Sequence, residues 1–248
     1  MPASKTLLSW STGKDAAWAL NCLRQDTSVE LVGLVTTINE AAERVAMHGV
    51  RRSLLEAQAA AVGLPLFVLP LPSPCPNQVY EHLMGAFVAR QVATGVEAMA
   101  FGDLFLQEVR RYRETAFAGS GMRPIFPLWG RATARLARDM LSAGIGAYLS
   151  CVDSAQLPAR FAGRAFDADL LAELPPGVDP CGENGEFHTF VWGGPMFERP
   201  LSVEPGDLVS RDGFVFCDLR PAAPRHVPAM EGPCRAKKPP RSPCASSA

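Results

Sequence analysis

Two short runs in this chain concentrate groups that can do chemistry. The first, Ser9-Trp10-Ser11-Thr12-Gly13-Lys14-Asp15-Ala16, sets hydroxyls, a glycine, an ammonium and a carboxylate directly after the apolar segment Thr6-Leu7-Leu8. Where a strand passes through such a turn into a helix, backbone N–H groups and the positive end of the helix dipole converge, which suits a phosphate. Small residues let the backbone come close to that ligand. The Gly-x-x-x-x-Gly-Lys-Ser/Thr spacing of a Walker A loop is absent, and an ordinary polar turn is the plain alternative. The second run, Asp179-Pro180-Cys181-Gly182-Glu183-Asn184-Gly185-Glu186-Phe187-His188-Thr189, gathers carboxylates, an amide, an imidazole and glycines. A structural turn needs only one or two such residues, so this density points to a site. A carboxylate or imidazole there could take a proton from an attacking amine if its pKa lay near the operating pH. Cys181 and His188 lack the paired spacing of a zinc site.

These groups need elements to position them, and the first 150 residues alternate between strand and helix character. Strands are predicted at 5–10, 31–37, 66–69, 97–101 and 146–152. Helices are predicted at 15–25, 51–61, 78–94 (amphipathic) and 131–143, two of them closed by Gly63 and Gly95. Residues 31–37 form a continuous apolar and β-branched run, as in a strand covered on both faces. The alternation predicts an α/β fold, a doubly wound and mostly parallel sheet. Ligands of such sheets sit beyond the carboxyl ends of the strands. The 9–15 loop follows strand one, His48 lies beyond strand two and Asp103 follows strand four, so all three are predicted at one edge. After about residue 155 the rhythm stops. Short strands at 189–192, 201–203 and 214–216 predict a small C-terminal α+β subdomain, entered through the Glu183–His188 motif. From Pro221 the composition turns basic and Pro-rich, which predicts a disordered tail over 221–248.

Bulk properties exclude some classes. The apolar fraction of 48% and charged fraction of 20% are those of a globular protein. The net charge of −1 hides an asymmetry, because residues 221–248 hold five basic residues and one acidic one. That leaves 19 basic against 24 acidic residues in the body, which excludes a general nucleic-acid binder. Seven cysteines form no Cys-x-x-Cys pair, and no run approaches the ~20 apolar residues of a membrane span. With no apolar signal segment, these features predict a cytoplasmic protein with reduced thiols and no membrane contact.

The first run is similar to the Ser-Gly-Gly-Lys-Asp-Ser pyrophosphate loop of the N-type ATP pyrophosphatases. It is followed in order by Met47-His48-Gly49, Gly102-Asp103, Arg111-x-Arg113-Glu114, Pro127-Leu128-Trp129 and the Asp179–Thr189 run. Residues 4 to about 220 therefore resemble the diphthine–ammonia ligase family, also described as the ATP-binding domain-4 family. The resemblance implies an adenine nucleotide alpha-hydrolase-like fold, with a nucleotide-binding domain over 1–154 and an acceptor-side subdomain over 155–220. It implies an ATP-dependent, AMP-forming carbon–nitrogen ligase that adenylates an acceptor carboxylate and transfers ammonia or an amine, with ATP and Mg2+ as cofactors.

By the same resemblance Ser9, Ser11, Thr12, Gly13, Lys14, Asp15, His48, Gly102, Arg111 and Arg113 would bind the nucleotide, and Asp15 and Asp103 the metal. Asp103, Glu183, Glu186 and His188 would be catalytic, with Asn184 and Gly185 on the acceptor. Plainer roles stand beside these: a helix cap for Asp15, a solvated lysine for Lys14, a turn for Asp103 and an exposed salt-bridged face for Arg111 and Arg113. Two positions depart from the family. Thr12 stands where glycine prevails, and Ala16 replaces a serine hydroxyl, whose loss to a charged acceptor costs about 1.5–3 kcal/mol. Expected partners are ATP, an unidentified acceptor (small molecule or protein side chain) and an ammonia or amine donor, with a homodimer left open. In archaeal and eukaryotic members the implied acceptor is diphthine on elongation factor two. The alternative is an ATP- or AMP-binding regulatory module with little turnover. Thr12 and Ala16 favour it, and the intact Gly182–Thr189 run opposes it.

Overall fold

Leu7 and Leu8 are both fully buried, yet they join different apolar clusters. Neighbouring side chains of a strand point to opposite faces, so the first strand, β1 (Ser4–Ser9), is covered on both sides. The structure, a computed structural model, describes residues 2–222. Beside β1 run β2 (Val29–Asn39), β3 (Arg44–Val45), β4 (Leu66–Leu71), β5 (Ala98–Ala100) and β6 (Arg123–Ile125). The parallel strands lie in the order β4-β2-β1-β5-β6, with the short β3 antiparallel at the end of β2. The chain winds outward from β1 to β4 and then returns to the other side of β1 at β5. That reversal opens a crevice between the carboxyl ends of β1 and β5.

Helices α1 (Lys14–Arg24), α2 (Arg52–Val62), α3 (Asn77–Ala93), α4 (Gln107–Phe117), α5 (Thr133–Ser142) and α6 (Ala168–Glu173) cover the sheets. Ala16, Ala17, Leu20 and Leu23 of α1, with Leu54 and Leu55 of α2, enter the cluster that holds Leu8. Phe87 and Val88 of α3 and Phe117 of α4 enter the one that holds Leu7. α2 ends at Gly63 in the left-handed conformation, φ 72°. The 78–94 helix forms, but it is less amphipathic than predicted, since Phe87 and Val88 are its only buried residues.

The strand predicted at 146–152 forms as β7 (Gly146–Asp153) but does not extend the parallel sheet. It pairs antiparallel with β8 (Phe187–Gly193) and, beyond β9 (Val203–Glu204) and β10 (Leu208–Arg211), with β11 (Phe214–Cys217). The second sheet has the order β10-β11-β7-β8, while β9 pairs with β12 (Arg220–Pro221). A buried apolar run fixes strand character but not its partners, and the partners of β7 lie far downstream. α4, β6 and β10 carried too few apolar residues to be read as elements. One apolar cluster, from Leu8 through Leu149 to Val215, spans both sheets. The tail predicted over 221–248 lies, from residue 223 on, outside the described residues. Among the described residues no helix is long and apolar enough to cross a membrane.

The exit of β5 depends on a glycine. A Cβ on Gly102 would stand 2.9 Å from the carbonyl carbon of Asp15 and 3.0 Å from the nitrogen of Ala16. The strand end is thus pressed against the first turn of α1. Gly102→Ala is expected to lower stability by about 1–3 kcal/mol, read as the urea midpoint. An unchanged midpoint would mean that the helix start can yield.

Candidate functional site

The loop after β1 is held from two other elements. Trp10 is buried, and its indole N–H donates to Oε1 of Gln58 on α2 at 2.9 Å. Nε2 of Gln58 donates to the Thr12 carbonyl at 3.1 Å and to the Val191 carbonyl at 2.6 Å. The Val191 N–H in turn donates to the Thr12 carbonyl at 3.0 Å. Thr12 itself has φ 74°, a strained region for a β-branched residue. Its side chain is fully buried, and Oγ1 has no partner. One residue on, the Lys14 N–H donates to Oγ1 of Thr189 at 3.0 Å, so β8 caps the start of α1.

Charge is arranged around this loop. The Lys14 ammonium is buried, 2.9 Å from Asp15 Oδ2, hydrogen-bonded to the Cys181 carbonyl and 5.4 Å from the centre of the Phe187 ring. Burial, the largest single influence, acts to lower its pKa, but Asp15, Cys181 and Glu183 together hold Lys14 above its ordinary value. Burial pushes Asp15 up despite Lys14, and Asp15 Oδ1 is buried without a partner. Asp103 Oδ2 accepts from Arg113 Nε at 3.4 Å, and burial raises its carboxyl. Oε1 of Glu183 accepts the N–H groups of Leu104 at 2.6 Å and Phe105 at 3.3 Å, bridging to the loop that follows β5. Burial pushes the Glu183 carboxyl up to about 7. The rings of His48 and His188 lie 4.5 Å apart. Burial brings His188 down to about 4 and His48 well below its ordinary value, so both imidazoles are neutral near pH 7.

These groups line one cleft of about 350 Å3 at the crevice between β1 and β5. It gathers Ser9, Ser11, Gly13, Lys14, Asp15, His48, Gly102, Asp103, Arg113, Glu183, Gly185 and His188. Four predicted site residues have other duties. Thr12 turns its side chain into the interior instead of toward the cleft. Arg111 is exposed on α4, because residues two apart on a helix do not share a face with each other, and the cleft takes Arg113. Glu186 is buried within its own loop, accepting from the Asp179 N–H at 2.8 Å, the Asn184 N–H at 3.0 Å and the Asn184 side-chain amide at 2.9 Å. Glu186 and Asn184 thereby organise the loop that presents Glu183. A dense polar run does not reveal which of its carboxylates serves its own backbone. Gln58 and Thr189 were missed as site-forming residues. Gln58 had a visible signal, since it is a polar residue within the buried stripe Leu54, Leu55, Ala59 and Val62. Cys181 is buried and its thiol donates to the Thr133 carbonyl at 3.5 Å.

A parallel sheet, a tight strand–loop–helix junction at its switch point and carboxylates converging on that junction define an α/β protein with a polar cleft at the sheet's switch point. Residues 4–124 match the family model described as the diphthamide synthase N-terminal domain, and residues 132–220 the one described as its C-terminal domain. The chain belongs to this family. It is similar to the diphthine–ammonia ligase of Bos taurus, 26% identical over 181 residues, covering 66% of this chain and 67% of that one. It is 27% identical to that of Danio rerio over 227 residues, 82% and 89% of the two chains. The Homo sapiens protein is 32% identical over 127 residues, and the matched stretch spans about half of each chain.

The strain at Thr12 gives a direct test. Thr12→Gly is expected to raise stability by about 1 kcal/mol, because relief of the positive-φ strain outweighs the chain entropy that glycine adds. Thermal unfolding would show a rise in Tm. A fall would mean that the buried threonine methyl outweighs the backbone strain.

Proposed function

We propose that the protein is an ATP-dependent, AMP-forming ligase that adenylates an acceptor carboxylate and transfers ammonia or an amine to it. The observation that carries this reading is the meeting of the 9–15 loop, Asp103 and Glu183, from three distant parts of the chain, at the sheet's switch point. The relatives' printed names join diphthine with ammonia, the same class of reaction. In the first step an acceptor carboxylate oxygen attacks the α-phosphorus of ATP, the bond to the β-phosphate oxygen breaks, and pyrophosphate leaves. In the second the ammonia nitrogen attacks the acyl carbon, AMP leaves and the nitrogen gives up a proton.

The chain's part is positioning and charge. Ser9, Ser11, Gly13 and the first turn of α1 offer hydroxyl and backbone donors to the phosphates. Lys14, tied to Asp15 and the Cys181 carbonyl, fixes the loop and adds positive potential. The donor set fits Mg2+: Asp15 has a free, buried Oδ1 and Asp103 faces the same cleft, and magnesium typically takes one or two carboxylates, keeping water and phosphate for the rest. Among the described residues no group of three side chains forms a metal cage, as such water-rich binding requires none. When bound, the metal neutralises phosphate charge. Glu183 is the better proton acceptor, since a carboxyl near 7 is partly ionised at neutral pH whereas an imidazole near 4 is a weak base. Its place at the cleft supports turnover over a purely regulatory role. The described cysteines are all free, which supports the cytoplasm as compartment.

Calorimetry should show Mg-ATP binding that Lys14→Ala or Asp15→Ala weakens about tenfold, or 1.4 kcal/mol; unchanged affinity in both would place the nucleotide elsewhere. Ala16→Ser should tighten it, because Ala16 lines the cleft and a hydroxyl there adds a donor to a phosphate oxygen. AMP and pyrophosphate are the expected products, and ADP with phosphate would overturn the reading. Glu183 is protonated below about 7 and able to accept a proton above it, so turnover should climb through that pH. Glu183→Gln should remove that climb and cut the rate about 100-fold, leaving ATP affinity intact.

A further inference from the structure

A second cavity, of about 550 Å3, opens off the cleft between α3 and α4. The two cavities share Tyr80, Met84, Phe101 and Arg113 in their walls, so they adjoin at Arg113. The 17-residue α3 buries only Phe87 and Val88, which share an apolar cluster with Phe117 of α4, while Tyr80 and Met84 on its groove face are half-buried. Gly85, Ala89 and Ala116 line the groove and keep it open.

We propose that this groove binds the acceptor, a carboxylate carried on an apolar or aromatic body, and that Arg113 orients the carboxylate toward the nucleotide. The inference rests on the ligase reading and names the acceptor class for it. Charge decides what the groove takes. Among the described residues Arg113 is its one cation, Glu81 is a carboxylate, and Tyr80 and Tyr112 add hydroxyls among aromatic faces. A polyphosphate would be repelled along such walls, whereas a single carboxylate at the Arg113 end is matched. The Arg113 guanidinium lies over the Phe101 ring at 4.5 Å and meets Asp103 only through Nε. Its terminal nitrogens donate to no acceptor among the described residues, which leaves a planar edge for a two-pronged carboxylate contact. Asp103, on the other side of that guanidinium, lies at the nucleotide side of the cleft. The carboxylate is thereby delivered to the phosphates while the body of the acceptor stays in the groove.

Gly85 makes the test clean. A Cβ there would meet nothing within 4 Å, and replacing a mid-helix glycine favours the helix. Gly85→Phe should therefore fill the groove without unfolding the chain, which a melting curve checks. The probes are 4-phenylbutyrate and its uncharged amide, titrated by calorimetry with and without Mg-ATP. The wild-type protein should bind the acid in the millimolar range or tighter and prefer it to the amide about tenfold. Gly85→Phe should weaken the acid about tenfold or more with Mg-ATP affinity unchanged, and Arg113→Gln should erase the preference for acid over amide. Equal binding of the acid by Gly85→Phe, no millimolar binding by the wild type, or a preference that survives Arg113→Gln would each overturn the proposal. Loss of Mg-ATP binding with groove binding intact would overturn the ligase reading instead, so the two failures are distinguishable.

Discussion

The carbonyl of Thr12 is where the two sheets are joined. It takes one hydrogen bond from the backbone of β8 and one from Gln58 on α2, so the loop after β1 belongs to both halves of the molecule at once. Everything functional is referred to that point. The reversed backbone at Thr12 aims Gly13 and Lys14 into the start of α1, and Thr189 receives the Lys14 N–H. The same strand carries His188 alongside His48. A strained, β-branched residue at positive φ persists only when its surroundings over-determine it, and here three elements do so. The cost is local, and the gain is a loop whose shape does not wait for a ligand.

Burial then decides which groups around the loop keep a charge. Lys14 stays an ammonium because Asp15 and the Cys181 carbonyl replace the water it has lost. The two histidines have no carboxylate beside them, and burial keeps them neutral even though His48 meets the Thr189 carbonyl. Glu183 falls between, with two N–H groups favouring its charge and desolvation opposing it. A low-dielectric cleft therefore sorts groups of similar type into fixed charges, neutral donors and one titrating base. That sorting depends on depth and neighbours.

Much of the fold was legible in the sequence because a parallel sheet writes itself as alternating apolar runs and amphipathic stretches. β1, β2, β4 and β5, with α1, α2, α3 and α5, all fall within a few residues of their predicted positions. The order of those elements was enough to put the loop, His48 and Asp103 at one edge. Less legible were features set by partners far along the chain. β7 reads locally like its predecessors and differs only in what pairs with it. In the second motif, Glu183 and Glu186 are three residues apart and chemically alike, yet one meets the cleft and the other meets its own loop's amides. Arg111 and Arg113 were separable by helical phase, which requires knowing that α4 exists.

The Gln58 amide has a consequence for motion. Its oxygen accepts from an indole and its nitrogen donates to two carbonyls in different elements, so only one orientation of the group satisfies all three. Swinging one sheet away from the other would strand these groups in the dry interior, where each unmatched polar atom costs about 1–3 kcal/mol. Separation of the two sheets is therefore opposed here by buried polar groups as well as by the apolar cluster they share.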